Sequence, residues 1–185
     1  MDTNFRAAGP LSALALEHGY SSWSTLTEAL RHLPYARTSD RGKLELVLLE
    51  NRGTCSSKHA LAYAIAQEQG WTEWRLMLGM YRMKETNTPG VGAVLAATSL
   101  DFIPEAHCYL ARGEERLDVT KPSSNFAQLA ADIMEEVVIE AEQVGEWKVN
   151  FHRAYLRKWI KKEKELALSF EEIWQLRENC ILALS

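Results

Sequence analysis

Apolar positions recur at helical spacing along the first part of the chain, at Leu11, Leu14 and Leu16 and then at Trp23, Leu26, Leu30 and Leu33. They predict two short helices within residues 10–34, the second capped by Ser22 or Ser24 and ended by Pro34. Leu44, Val47 and Leu48 share a face and predict a third helix over residues 40–50, which Asn51-Arg52-Gly53 breaks. The helical pattern is strongest over residues 55–69, with Ala60, Leu61, Ala64 and Ile65 on one side and Gly70 as a C-terminal stop. Thr54 stands at its N-cap, so Cys55 falls in the first turn.

After Trp71 the texture changes. Residues 74–83 mix apolar and aromatic side chains with partial alternation and predict a strand, followed over residues 87–100 by a long, mobile loop containing Pro89, Gly90 and Gly92. Residues 105–110 and 115–119 form two strand-like runs separated by Ala111-Arg112-Gly113-Glu114, a connection of hairpin length in which Gly113 supplies a positive φ. Loop follows at residues 121–125, an edge strand at 136–140, and a long amphipathic helix at 143–165 carrying Trp147, Val149, Phe151, Tyr155 and Trp159. A last helix, capped by Ser169, runs through Ile173, Leu176, Cys180 and Ile181. No repeat and no βαβ alternation is visible, so the expected class is α+β: helices, a small antiparallel sheet, then helices.

Composition narrows this picture. With 185 residues, 46% of them hydrophobic, the chain suits one domain over 1–185, its core at 40–120 flanked by N-terminal helices at 10–34 and C-terminal helices at 143–184. A net charge of −4, from 25 acidic and 21 basic residues scattered along the chain, gives no footprint for nucleic acid. The one basic cluster, Arg157, Lys158, Lys161, Lys162 and Lys164, is diluted by Glu163 and Glu165 and reads as a solvated helix face. The start of the chain lacks the pattern of a signal peptide and no apolar run matches a membrane span, so a cytoplasmic location without a membrane partner is expected. Cys55, Cys108 and Cys180 form no close pair, which suggests reduced thiols, no metal and no cofactor. Oligomeric state leaves no sequence signal.

The candidate chemistry rests on three residues. A thiol attacks carbonyls as thiolate, and the positive end of a helix dipole favours that form, so Cys55 is placed as a nucleophile. It needs a base and a group to orient that base. His107 and Asp118 lie on the two arms of the expected hairpin, whose turn sets position 107 roughly opposite 117–118. His59 competes as base from one turn further along the same helix, but has no evident orienting carboxylate; a capping or surface role is its plainer reading. Taken alone, Cys55 reads more often as a buried core residue than as a nucleophile, and His107 with Asp118 as an ordinary cross-strand pair; the helix start and the matching His and Asp together favour the triad. Tyr35, Trp71 and Trp74 flank the region and would either line a pocket, donate to an oxyanion or fill the core.

Gly53-Thr54-Cys55 opening a helix, Ala106-His107-Cys108-Tyr109-Leu110 in one strand and Arg116-Leu117-Asp118-Val119-Thr120 ending the next together resemble the transglutaminase-like superfamily. The resemblance runs from about residue 50 to 120 and departs at Ser56, where many transglutaminases carry Trp, and in lacking a matched upstream oxyanion residue. It implies a papain-like core in which Cys55 attacks, His107 moves the proton and Asp118 orients the imidazole. The implied activity is acyl hydrolysis or transfer on a peptide or small-molecule amide, isopeptide or ester. The alternative is a non-catalytic interaction module on the same fold.

Overall fold

The structure, a computed structural model, describes residues 4–98, 100–163 and 166–184. Two helices open it, α1 (Pro10–Glu17) and α2 (Trp23–His32), the latter capped by Ser22, whose hydroxyl accepts the Thr25 N–H. The expected third helix contracts to one turn, α3 (Leu46–Leu49). Residues 40–45 instead make turns, starting where the Asp40 carboxylate accepts the Gly42 N–H at 2.8 Å. A local side-chain bond of this kind competes with the helix ladder.

The next helix, α4 (Cys55–Glu68), is buried on nearly every side, as a helix enclosed by other elements must be. It packs against α1, α2, α3 and two strands, β1 (Arg75–Met83) and β2 (Ile103–Arg112). With a third strand, β3 (Glu115–Leu117), and a fourth, β4 (Ile133–Ile139), these form one antiparallel sheet in the order β3-β2-β1-β4. Leu61, Ile65, Leu76, Leu78 and Leu110 are fully buried between helix and sheet. Each contributes roughly 2 kcal/mol by leaving water, more than any cross-strand pair supplies. The core therefore fixes where α4 begins, and Cys55 with it.

Between β1 and β2 the expected mobile loop is instead packed. It contains a one-turn helix, α5 (Gly92–Leu95), buries Val91 and Leu95, and is pinned by Asn87, whose amide donates to the Arg82 carbonyl and to Asp132, both at 2.8 Å. Ser99 lies outside the described residues. After β3 come a short helix, α6 (Phe126–Ala130), then β4, a 3-10 turn (Ala141–Val144) and the two closing helices, α7 (Glu146–Lys162) and α8 (Phe170–Leu182). Lys164 and Glu165, assigned to the long helix from sequence, are outside the described residues. α5, α7 and α8 enclose a second core with Tyr81, Met83 and Ile103 of the sheet. Among the described residues the architecture is thus eight α-helices and a four-stranded antiparallel sheet, an α+β arrangement.

In α7 the buried stripe differs from the expected one. Lys148, His152, Leu156 and Trp159 face inward, whereas Trp147 is 40% exposed. The largest side chains suggest one helix face, but the inward face is the neighbouring one, on which Lys148 bonds Ser56 and His152 bonds the Pro104 carbonyl.

Candidate active site

The β2–β3 turn is tight, closing at Arg112↔Glu115 with Gly113 at φ 54°, a left-handed conformation that glycine adopts without strain. Its register corrects the sequence expectation. The ladder ends at Leu110↔Leu117, and continuing it would set position 120, not 117–118, opposite His107. Asp118 lies just past the end of β3 and reaches the imidazole on the diagonal, its Oδ2 2.7 Å from His107 Nε2. That bond takes one ring nitrogen, and the Cys55 thiol lies near enough to the same ring for each to shift the other's pKa.

Two side chains of α4 hold Asp118 in place. Lys58, fully buried, donates to the carbonyls of Leu33 at 2.7 Å and Thr120 at 2.8 Å. His59, also fully buried, donates from Nδ1 to the Cys55 carbonyl at 2.6 Å and accepts the Val119 N–H on Nε2 at 2.8 Å. The Thr120 N–H in turn reaches Asp118 Oδ1 at 2.9 Å. Residues 118–120 are thereby fastened to the helix that bears the thiol. His59 is neither a surface nor a capping residue, and it is not poised as base. Burial holds it neutral, with a pKa pushed down to about 4, and both ring nitrogens are taken.

Gly53 makes the approach to Cys55 possible. Its N–H donates to the Pro34 carbonyl and its own carbonyl accepts from Ala36, which brings Tyr35 alongside. A Cβ at position 53 would sit 2.8 Å from Lys58 Cγ. Glycine there lets the buried lysine and the loop leading to Cys55 share the same space.

The electrostatics divide the titratable groups sharply. Burial pushes the Cys55 thiol up, but the Lys148 ammonium, the hydrogen bond and charge of His107 and the Cys108 N–H outweigh it and bring the pKa down to about 6. His107 loses basicity to burial and regains more from Asp118, so it titrates well above the ordinary range. Asp118 is held well below the carboxylate range, the bond to His107 overcoming desolvation. The resting combination is therefore thiolate, imidazolium and carboxylate. Cys108, buried in β2, moves the other way because desolvation dominates there.

Lys148 escaped the sequence reading. It is buried and donates to Ser56 Oγ at 2.6 Å, beside Cys55. The signal was present, since Lys148, His152, Leu156 and Trp159 follow the i, i+4, i+8, i+11 spacing of one helix stripe, and an ammonium on such a stripe needs a reason. Glu105 and Arg177, from β2 and α8, form a buried bidentate pair at 2.6 and 2.7 Å that was equally unread. Trp71 and Trp74 pack with Trp23 in the first core. Tyr35 alone of the three flanking aromatics lies at the thiol.

Two cavities meet there, of about 260 and 290 Å³, and Tyr35, Cys55, Glu105 and Ile181 line both. The first extends towards Lys148 and Arg41; the second extends along His107 and Asp118 towards Asn87 and Leu184. Cys55, Cys108 and Cys180 are free, and among the described residues no group of three His, Cys, Asp or Glu side chains is arranged to hold a metal. No described helix is long and apolar enough to cross a membrane. No family model, curated protein or solved structure matches this chain.

Proposed function

We propose that this chain is a cysteine-nucleophile acyl hydrolase or acyltransferase with a transglutaminase-like, papain-like core, acting through Cys55, His107 and Asp118 on an amide, isopeptide or ester of a peptide or small molecule. The observation that carries the reading is the position of His107, bonded to Asp118 through Nε2 at 2.7 Å and near enough to the Cys55 thiol to lower its pKa by hydrogen bond and charge. The residues resembling the superfamily's motifs supply the same three groups in the same chain order.

In this mechanism the Cys55 thiolate adds to the acyl carbon and the carbonyl oxygen becomes an oxyanion. The Cys55 N–H, in the first turn of α4 and without a helical acceptor, donates to that oxyanion. Tyr35 is the second donor. Its phenol lines both cavities at the thiol, and burial holds its pKa well above the ordinary value, so it keeps the proton it donates. His107 then passes its proton to the departing amine or alcohol, leaving a thioester on Cys55. It next takes a proton from water or an acceptor amine, which attacks the thioester and frees Cys55. Asp118 keeps the imidazole in the correct tautomer throughout.

Alkylation by iodoacetamide at mildly acidic pH tests the reading. Lowering a thiol pKa to about 6 raises the thiolate fraction roughly a hundredfold and reduces its intrinsic nucleophilicity about tenfold. Cys55 is expected to react about tenfold faster than a free thiol and well ahead of Cys108 and Cys180. Equal sluggishness at all three cysteines overturns the assignment.

A further inference from the structure

The cavity on the Lys148 side of Cys55 carries more positive charge than its own carboxylates neutralise. Arg177 spends its guanidinium on Glu105, at 2.6 and 2.7 Å, and on Glu178, at 2.7 Å. Arg37 donates to the other oxygen of Glu178 at 3.0 Å. Two guanidiniums and two carboxylates thus cancel. His152 adds no charge, since its Nε2 donates to the Pro104 carbonyl and burial lowers its pKa.

Lys148 and Arg41 remain. Among the described residues neither forms a salt bridge or hydrogen bond to a carboxylate. Lys148 is 8% exposed and uses one of its three hydrogens, on the Ser56 hydroxyl. A buried ammonium held by one neutral acceptor is incompletely solvated, and the groups whose charge favours it are the Cys108 and Cys55 sulfurs and the Glu105 carboxylate, the last already bonded to Arg177. Acylation removes the Cys55 share of that negative charge, so Lys148 is less well compensated at the moment the acyl group arrives. Arg41 lies at the exposed edge of the same cavity. One cation at the nucleophile and another towards solvent make a positive path between them.

Resting on Cys55 being the nucleophile, we propose that this cavity binds a carboxylate carried by the acyl donor, so that the preferred substrates are anionic acyl compounds, with Lys148 and Arg41 as the specificity residues. The other cavity is a poorer candidate. Its lysine, Lys121, donates to the Leu184 carbonyl at 2.9 Å and lies over the Tyr35 ring. The carboxylate would complete the coordination of Lys148 as a charge-assisted hydrogen bond.

The test uses two alkylating reagents with the same iodoacetamide group, N-iodoacetylglycine and its neutral amide N-iodoacetylglycinamide. In both, the Cys55 sulfur forms a bond to the methylene carbon as iodide leaves, so only the remote charge differs. Rates at Cys55 of the full chain are compared with those of glutathione. The anionic reagent is expected to be favoured over its amide by about tenfold more than at glutathione, an advantage that falls with added salt. Arg41→Gln, an exposed change that spares the core, is expected to remove most of that preference, and Lys121→Gln to leave it intact. A ratio equal to that of glutathione, or one lost in Lys121→Gln and kept in Arg41→Gln, overturns the proposal. Slow reaction of Cys55 with the neutral reagent instead counts against the nucleophile, while the ratio still reports on the anion subsite.

Discussion

The start of α4 and the middle of β2 each bury a cysteine beside Lys148 and Ser56, yet the two thiols move in opposite directions. Cys55 falls to about 6, whereas Cys108 rises above its ordinary value. Burial is common to both and opposes ionisation in each. Lys148 is common too. What separates them is the set of donors aimed at the sulfur: Cys55 has the His107 ring and the Cys108 N–H, whereas the bond made by Cys108 is a weak 3.7 Å contact with the Ser56 hydroxyl. A neighbouring cation makes a thiolate affordable, and directed hydrogen bonds decide which thiol becomes one.

Removing the distinguishing donor has the largest expected effect. His107→Ala is expected to lower acyl transfer by about 10²–10⁴ and to bring Cys55 alkylation near that of a free thiol, with a lower urea midpoint because Asp118 is left buried without its partner. Retained selectivity for Cys55 would break the comparison. Asp118→Asn keeps a hydrogen-bonding shape but removes the charge that raises His107. Thiolate and imidazolium coexist only above the Cys55 pKa and below that of His107. Activity should therefore rise through about pH 6 and decline as His107 deprotonates, and in Asp118→Asn that alkaline decline moves to lower pH. The pH profile of kcat/KM checks both limbs.

Lys148→Met sharpens the comparison differently, because it takes a cation from both cysteines. The midpoint of Cys55 alkylation should climb above about 6 while Cys108 stays inert. If the two thiols became equally reactive, Lys148 rather than His107 would be the discriminator. The smallest effect is expected for Cys108→Ala, which costs about 1 kcal/mol of stability and changes Cys55 reactivity less than twofold.

The legible and illegible parts of the molecule follow from the range over which a sequence signal acts. Cys55, Thr54 and Gly70 mark the ends of α4 through capping and termination, which depend on a few adjacent residues. His107 and Asp118 were readable because a short turn ties their positions together. The register was misjudged because only the ladder itself fixes how a four-residue connection divides between strand and turn. Residues 40–45 carried helical apolar spacing that Asp40 overrides locally. Lys148, Lys58 and Arg177 belong to helices whose partners lie 92, 62 and 72 residues away, distances over which no local pattern reports.

The fastening of residues 118–120 to α4 has a mechanical consequence. Helix, His59 and Lys58, the Asp118 segment, His107 and the thiol form a closed circuit of contacts, so no single joint can open without distorting another. In kinematic terms the site is a braced frame that ties Cys55, His107 and Asp118 to one another. On the proposed function, the motion that admits a substrate comes from the walls around the frame, and the frame itself is in shape beforehand.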